Sequence, residues 1–129
     1  MPLAANEVHY SLAHRAAETN GVLDACRELG VALVAYFPLA SGRLTRAPDP
    51  AKPDRLDALR RALTEVAEAR QATRGQVALS WLLARDAAII PIPGASKAKH
   101  ASENVAALNV QLTPDEFAAI DAAAPAPAA

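Results

Sequence analysis

Pro91-Ile92-Pro93-Gly94-Ala95-Ser96 closes a short apolar stretch, residues 87 to 92, and is followed at helical spacing by Glu103 and Asn104. This order predicts a strand that runs into a tight glycine turn and then a helix whose first amides point back at the turn. Backbones hold phosphate in this way, because the first N–H groups of a helix have no partner within it and carry partial positive charge. Ser96 is expected to cap that helix, which should continue to about Leu108. The stretch therefore predicts half of a nucleotide site, with no recognisable set of residues for chemistry beside it.

Working outward, Val31-Ala32-Leu33-Val34-Ala35-Tyr36 is an unbroken apolar run that stops at Pro38. It is the pattern of a parallel strand covered on both faces. Residues 5 to 10 predict another strand, and residues 19 to 29 a helix closed by Gly30 in the left-handed cap position. From Asp54 to Arg70, Leu56, Leu59, Leu63, Val66 and Ala67 share one side, with Arg55, Arg60, Arg61, Glu65 and Glu68 mostly opposite, so this segment predicts an amphipathic helix. Gly75 to Arg85 is apolar nearly all round, which predicts a buried helix, with Thr73 as its N-cap. Thr113-Pro114-Asp115-Glu116 reads as a capping box with proline at the first helical position, opening a last helix that carries Phe117 and Ile120. Phe37 to Pro53 is a loop of the length that usually has a task, and Ala122 to Ala129 reads as a loose Ala/Pro tail.

Strands separated by helices in this order imply an α/β fold of βα units with right-handed crossovers and parallel strands. A closed eight-stranded βα barrel takes about 250 residues. This chain of 129 is expected to supply a partial (β/α)8 barrel, about three units plus a C-terminal helix, in residues 1 to 121. Its outer strands would be raw edges, open to self-association.

Composition narrows the function classes. With 52% hydrophobic and 21% charged residues the chain can bury a core, and a formal net charge of -1 lacks the clustered basic excess that nucleic acid demands. A helix-turn-helix formed by the segments before and after Thr73 would put an almost wholly apolar helix in a major groove, which its surface does not suit. The single cysteine, Cys26, allows no internal disulfide and reads as a small buried hydrophobe. No run approaches the roughly 20 apolar residues of a membrane span, and the first residues lack the pattern of a secretory signal, so the expected compartment is the cytoplasm.

Four segments together carry a resemblance: Gly21-Val22-Leu23-Asp24-Ala25-Cys26-Arg27-Glu28-Leu29-Gly30, Val34-Ala35-Tyr36-Phe37-Pro38-Leu39-Ala40-Ser41-Gly42, Gln76-Val77-Ala78-Leu79-Ser80-Trp81-Leu82-Leu83, and Ile92-Pro93-Gly94-Ala95-Ser96 with Glu103-Asn104. In that order they resemble the C-terminal part of the aldo-keto reductases, from the sixth barrel strand onward, over essentially the whole chain. The resemblance implies a nicotinamide dinucleotide extended across the C-terminal mouth of the barrel, NADP(H) rather than NAD(H). It implies that Tyr36 stacks on the nicotinamide ring, that Pro38, Leu39, Ala40 and Ser41 line the pyrophosphate, with Phe37 also among the cofactor-binding residues, and that Gly94 and Ser96 approach the adenosine phosphate. His100, with Lys97 and Lys99, would stand near a 2′-phosphate, and Glu103 and Asn104 would bind adenine. Barrel phosphate sites generally favour the loops after strands seven and eight, which are the same residues.

The chain departs from the family pattern at three positions. Glu7 falls where a glutamine usually meets the nicotinamide carboxamide, and an ionised carboxylate accepts hydrogen bonds but donates none. His9 stands in place of a glutamate, with no second histidine at metal-ligand spacing in the sequence, so no metal site is expected. Phe37 replaces a serine. The tyrosine, lysine, aspartate and histidine that reduce carbonyl compounds in the family belong to earlier strands, so no catalytic residue is assigned here. The resemblance thus implies a cofactor-binding part of an NAD(P)H-dependent oxidoreductase that reduces aldehydes and ketones, its substrate met only with a front half. The alternative is an inactive truncated remnant, a weak nucleotide-binding or subunit-interaction module.

Overall fold

Burial alternates strictly along the middle strand. Leu33 and Ala35 are shut away from solvent, while Ala32, Val34 and Tyr36 are only partly covered. In the computed structural model, which describes residues 2 to 127, this strand is β2 (Ala32–Tyr36), flanked by β1 (Ala5–His9) and β3 (Ile89–Pro91) in one parallel sheet of order β1-β2-β3. The register sets Leu33 opposite Asn6 and Ile89, and Val34 opposite Glu7 and Ile90. One face, with Val8, Leu33, Ala35 and Ile89, packs into the core; the other, with Glu7, Val34 and Ile90, is left partly or fully open. The expectation of cover on both faces is therefore corrected among the described residues. Three βα units form an arc, and in a closed barrel it is the remaining strands that fill the inner face.

Five helices follow the strands: α1 (Val22–Leu29), α2 (Asp57–Arg70), α3 (Arg74–Arg85), α4 (Ala98–Ala106) and α5 (Pro114–Ala123). The all-round apolar segment becomes α3, buried at Val77, Ala78, Leu79, Trp81 and Leu82, and Thr73 caps it in a full box with Gln76. Each fully buried leucine or valine contributes about 1.5 to 3 kcal/mol of burial. Trp81 lies between the Phe117 ring, stacked at 5.1 Å, and the Arg15 guanidinium, 5.0 Å from its centroid. Arg15 also pairs with Glu18 and Asp121, and Arg85 reaches Glu18 at 2.6 Å, so α5, α3 and the 3-10 turn Ala16–Glu18 are tied together. Arg70 grips Glu116, locking α2 to α5.

Several boundaries differ from the sequence reading for local reasons. α1 starts at Val22 rather than near residue 19, because the Asn20 side chain accepts the Val22 N–H and Gly21 turns the chain with a φ of 87°. α2 starts at Asp57 rather than Asp54, because the Asp54 carboxylate takes the Leu56 N–H in a turn of its own. Ser96 does not cap α4: the N-cap is Lys97, with no side-chain capping bond, and the helix gives way to a 3-10 turn at Ala107–Asn109. α5 runs through Ala123 into the stretch read as loose, and Ala128 and Ala129 lie outside the described residues.

The long loop between β2 and α2 is held by one buried cation. Arg60, 1% exposed, donates to the Arg43 carbonyl at 2.9 Å, to Asp57 at 2.7 Å, and bidentately to Asp54 at 2.9 and 3.1 Å. Removing the guanidinium leaves Asp57 buried without its counter-charge. Arg60→Met is expected to cost about 3 kcal/mol or more, read as a lower urea midpoint or loss of the cooperative transition. The network also sets a pH dependence. Hydrogen bonds from Arg60 hold the Asp54 carboxyl at about 2, against an ordinary 3.8. Burial raises Glu18, yet Arg15 and Arg85 outweigh it and hold that carboxyl low. Groups depressed by folding bind fewer protons in the native chain, so their contribution is full above about pH 5 and is lost as pH falls toward 2. The urea midpoint should drop between pH 5 and pH 2.5, and less steeply in Asp54→Asn.

Candidate cofactor-binding site

The C-terminal ends of β2 and β3 open onto a cleft of about 710 Å³. Its first wall is the chain leaving β2, which turns sharply because Phe37, Ala40, Ser41 and Gly42 all take left-handed φ values of 50°, 53°, 54° and 81°. Turns within this segment use the N–H groups of Ala40, Arg43, Leu44 and Thr45, whereas those of Leu39, Ser41 and Gly42 donate no hydrogen bond among the described residues. Non-glycine residues in the left-handed region cost roughly 1 kcal/mol or more each and persist where surrounding structure holds them. Consecutive unpaired amides in such a turn form a concavity suited to an anion.

The second wall is the turn after β3 and the first half of α4. Gly94 has no left-handed φ here, and a Cβ added to it would meet nothing within 4 Å. Neither backbone conformation nor packing within the chain requires glycine at this position, so the absent side chain leaves open space against the cleft. Asn104 reaches the Gly94 carbonyl with its amide at 3.5 Å, and Glu103 is steadied by Gln76, which donates to its backbone carbonyl at 3.0 Å. α4 buries no residue fully, so its polar face remains available.

Of the residues singled out in the sequence, Tyr36, Phe37, Pro38, Leu39, Ser41, Gly94, His100, Glu103 and Asn104 line this one cleft. Three do not. Ala40 is buried beneath the turn, where its N–H donates to the Phe37 carbonyl at 2.9 Å. Ser96 is exposed in the bend before α4, and Glu7 sits on the open sheet face two residues short of His9, the residue paired with Tyr36. Lys97 and Lys99 also lie outside the cleft lining, and the Lys99 ammonium stands 3.8 Å from Glu103. Sequence reasoning missed Gly42, Thr45, Ile92 and Pro93, which complete the walls. It also missed an adjoining cleft of about 440 Å³ that shares Leu39, Thr45, Glu103 and Asn104 and adds Arg74 and Gln76. Gln76 could have been found, since it stands three residues after Thr73 in a capping box.

Comparison with known proteins bears on this arrangement. Residues 1 to 125 match the model of the aldo/keto reductase family. The chain belongs to the aldo-keto reductase family. It is 36% identical to aldo-keto reductase str7 of Strobilurus tenacellus, covering 92% of this chain and 41% of that protein. It is 32% identical to the chloroplastic pyridoxal reductase of Arabidopsis thaliana, covering 96% of this chain and 37% of the relative. An aldo-keto reductase of Klebsiella pneumoniae solved in complex with NADPH superposes with a TM-score of 0.77 at 32% identity, over 96% of this chain and 40% of that one. The chain thus spans about two fifths of the length of the relatives it matches, and the arc of three βα units is a partial TIM barrel.

In this aldo-keto reductase chain the rim beside the cleft is aromatic. His14 stacks on His9 at 4.0 Å between ring centroids, His9 stacks on Tyr36 at 5.4 Å, and Phe37 stands edge-on to both His9 and Tyr36. The fold brings together two histidines that sequence spacing had kept apart, although no group of three metal-ligating side chains occurs among the described residues. Burial and then the nearby His14 push the His9 imidazole below its ordinary 6.5. A His14→Ala variant is expected to titrate its His9 at higher pH, followed through the imidazole carbon-bound protons by NMR; an unchanged midpoint would mean that the two rings do not interact.

Proposed function

We propose that this chain is the cofactor-holding part of an NAD(P)H-dependent aldo-keto reductase, taking NADP(H) in the cleft between the β2 turn and α4. One observation carries the reading: Tyr36 to Leu39 with Ser41, and Gly94 with His100, Glu103 and Asn104, distant in sequence, line one cleft of about 710 Å³ at the same strand ends. That volume lies within the range of small-molecule and cofactor sites. The free amides of Leu39, Ser41 and Gly42 fit a pyrophosphate, the open space at Gly94 admits a phosphate, and Glu103 with Asn104 offer an acceptor and a donor–acceptor pair for adenine. His100 also lines the cleft, and an imidazole there would meet a 2′-phosphate, which supports NADP(H) over NAD(H). When bound, the reduced nicotinamide supplies a hydride for an aldehyde or ketone.

Reduction also needs a proton donor within hydrogen-bond reach of the carbonyl oxygen. Tyr10 is fully buried, and burial together with the Glu18 charge pushes its hydroxyl well above the ordinary tyrosine range, so it cannot serve. The proposal therefore assigns turnover to the chain only in company with the front half of a barrel, which would also bring the carbonyl substrate. A second reading, a nucleotide-binding or subunit-interaction module without turnover, is favoured by the open sheet face and the unpaired outer edges of β1 and β3. The buried free Cys26 suits a reducing compartment such as the cytoplasm.

Gly94→Val separates binding from folding. Since nothing packs where the new side chain would go, the thermal midpoint should stay within about 2 °C of the unaltered chain, a surface-level change. Affinity for NADPH, followed by the quenching or enhancement of nicotinamide fluorescence, should fall at least tenfold. Unchanged affinity, or no binding to the unaltered chain, would remove the cofactor reading.

A further inference from the structure

Phe37 is the least comfortable residue in the cleft. Its φ of 50° is one that bulky side chains rarely adopt, and the residue is 56% exposed. Folding alone gives it little return: its ring contacts are T-shaped ones with Tyr36, at 5.2 Å and 81°, and with His9, at 5.7 Å and 85°. His14, His9 and Tyr36 form a near-parallel stack, and Phe37 stands across it. Tyr36 and Phe37 line the same cleft with their ring planes nearly perpendicular, 81° apart.

We propose that Phe37 is a positioning residue for the flat ring at the nicotinamide end of the dinucleotide, forming with Tyr36 a two-sided aromatic corner. This rests on the cofactor reading above. A planar ring laid on either side chain presents its edge to the other. Offset stacking and edge-to-face contact are the two arrangements that aromatic quadrupoles favour, so both contacts are attractive at once. The serine of the family pattern could offer a hydroxyl here but no wall. Phe37 thus gives up a donor to the pyrophosphate, which the free amides of Leu39, Ser41 and Gly42 still serve, and limits the tilt of the nicotinamide instead.

The test compares two ligands on the full 129-residue chain. NADPH carries the nicotinamide, and 2′,5′-ADP reports on the adenosine end alone. Phe37→Ser is expected to weaken NADPH about fivefold to tenfold, the worth of one good aromatic contact, while 2′,5′-ADP binds as before. Phe37→Trp should restore NADPH and Phe37→Leu should not, since leucine supplies bulk without a ring. Equal losses on both ligands would show that Phe37 merely shapes the turn, and full affinity in Phe37→Leu would show that bulk suffices; either overturns the proposal. Equal affinity of the unaltered chain for the two ligands would overturn it while leaving the cofactor reading standing. Failure of the unaltered chain to bind 2′,5′-ADP would overturn both.

Discussion

A buried guanidinium, Arg60, is the main clamp on the candidate site, helped by Arg74, which donates to the Thr45 carbonyl at 3.0 Å. The turn after β2 would be a tether of some twenty residues if nothing fixed its far end, and a strained left-handed segment would then relax. Arg60 prevents this by collecting the Arg43 carbonyl and two carboxylates, Asp54 and Asp57, around one planar fork at the start of α2. Arginine suits the task because its donors diverge in a fixed plane and its charge is permanent. The same fork joins the backbone of the turn, at Arg43, to acid groups at the start of α2, so the stretch that ends in cleft residues Gly42 and Thr45 is anchored from outside the cleft lining.

The site in turn unites two ends of a sheet. Parallel βα units place successive strand ends at the same rim, so a turn after β2 and a turn after β3 become neighbours although more than fifty residues separate them. Their chemistry is complementary. The β2 turn offers backbone donors and aromatic rings, and α4 offers carboxylate, amide and imidazole side chains over an open glycine. Groups of both kinds thus meet at one rim of the sheet.

Much of this was legible in the chain. β2 showed itself as an apolar run, α3 by Thr73 ahead of an all-round apolar segment, and the end of α1 by Gly30, whose left-handed cap is found as read. The features that sequence hid are local competitions and meetings at a distance. Asn20 and Asp54 look like ordinary helix-side residues, but their short side chains capture backbone N–H groups and delay the helices that follow. Ser96 has the right chemistry for a cap, yet the chain stays extended one residue longer and leaves the position to Lys97. His9 and His14 could not be paired from spacing, because the turn that folds one ring over the other lies outside any regular period. Ile92 reads as the end of a strand and Pro93 as part of the glycine turn, and only the packed arrangement reveals them as cleft wall.

The parallel order of the sheet carries a counting rule. Joining copies head to tail, the β3 border of one to the β1 border of the next, is the arrangement that keeps strand direction and leaves every helix on the outside. Each copy brings three strands, so two give six and three give nine, and an eight-stranded ring is never reached. Multiples of this chain can lengthen the curve but cannot shut it at the size of its family's barrel. Closure at eight needs five further strands around one copy or two around a pair, in either case a piece that differs from the chain itself.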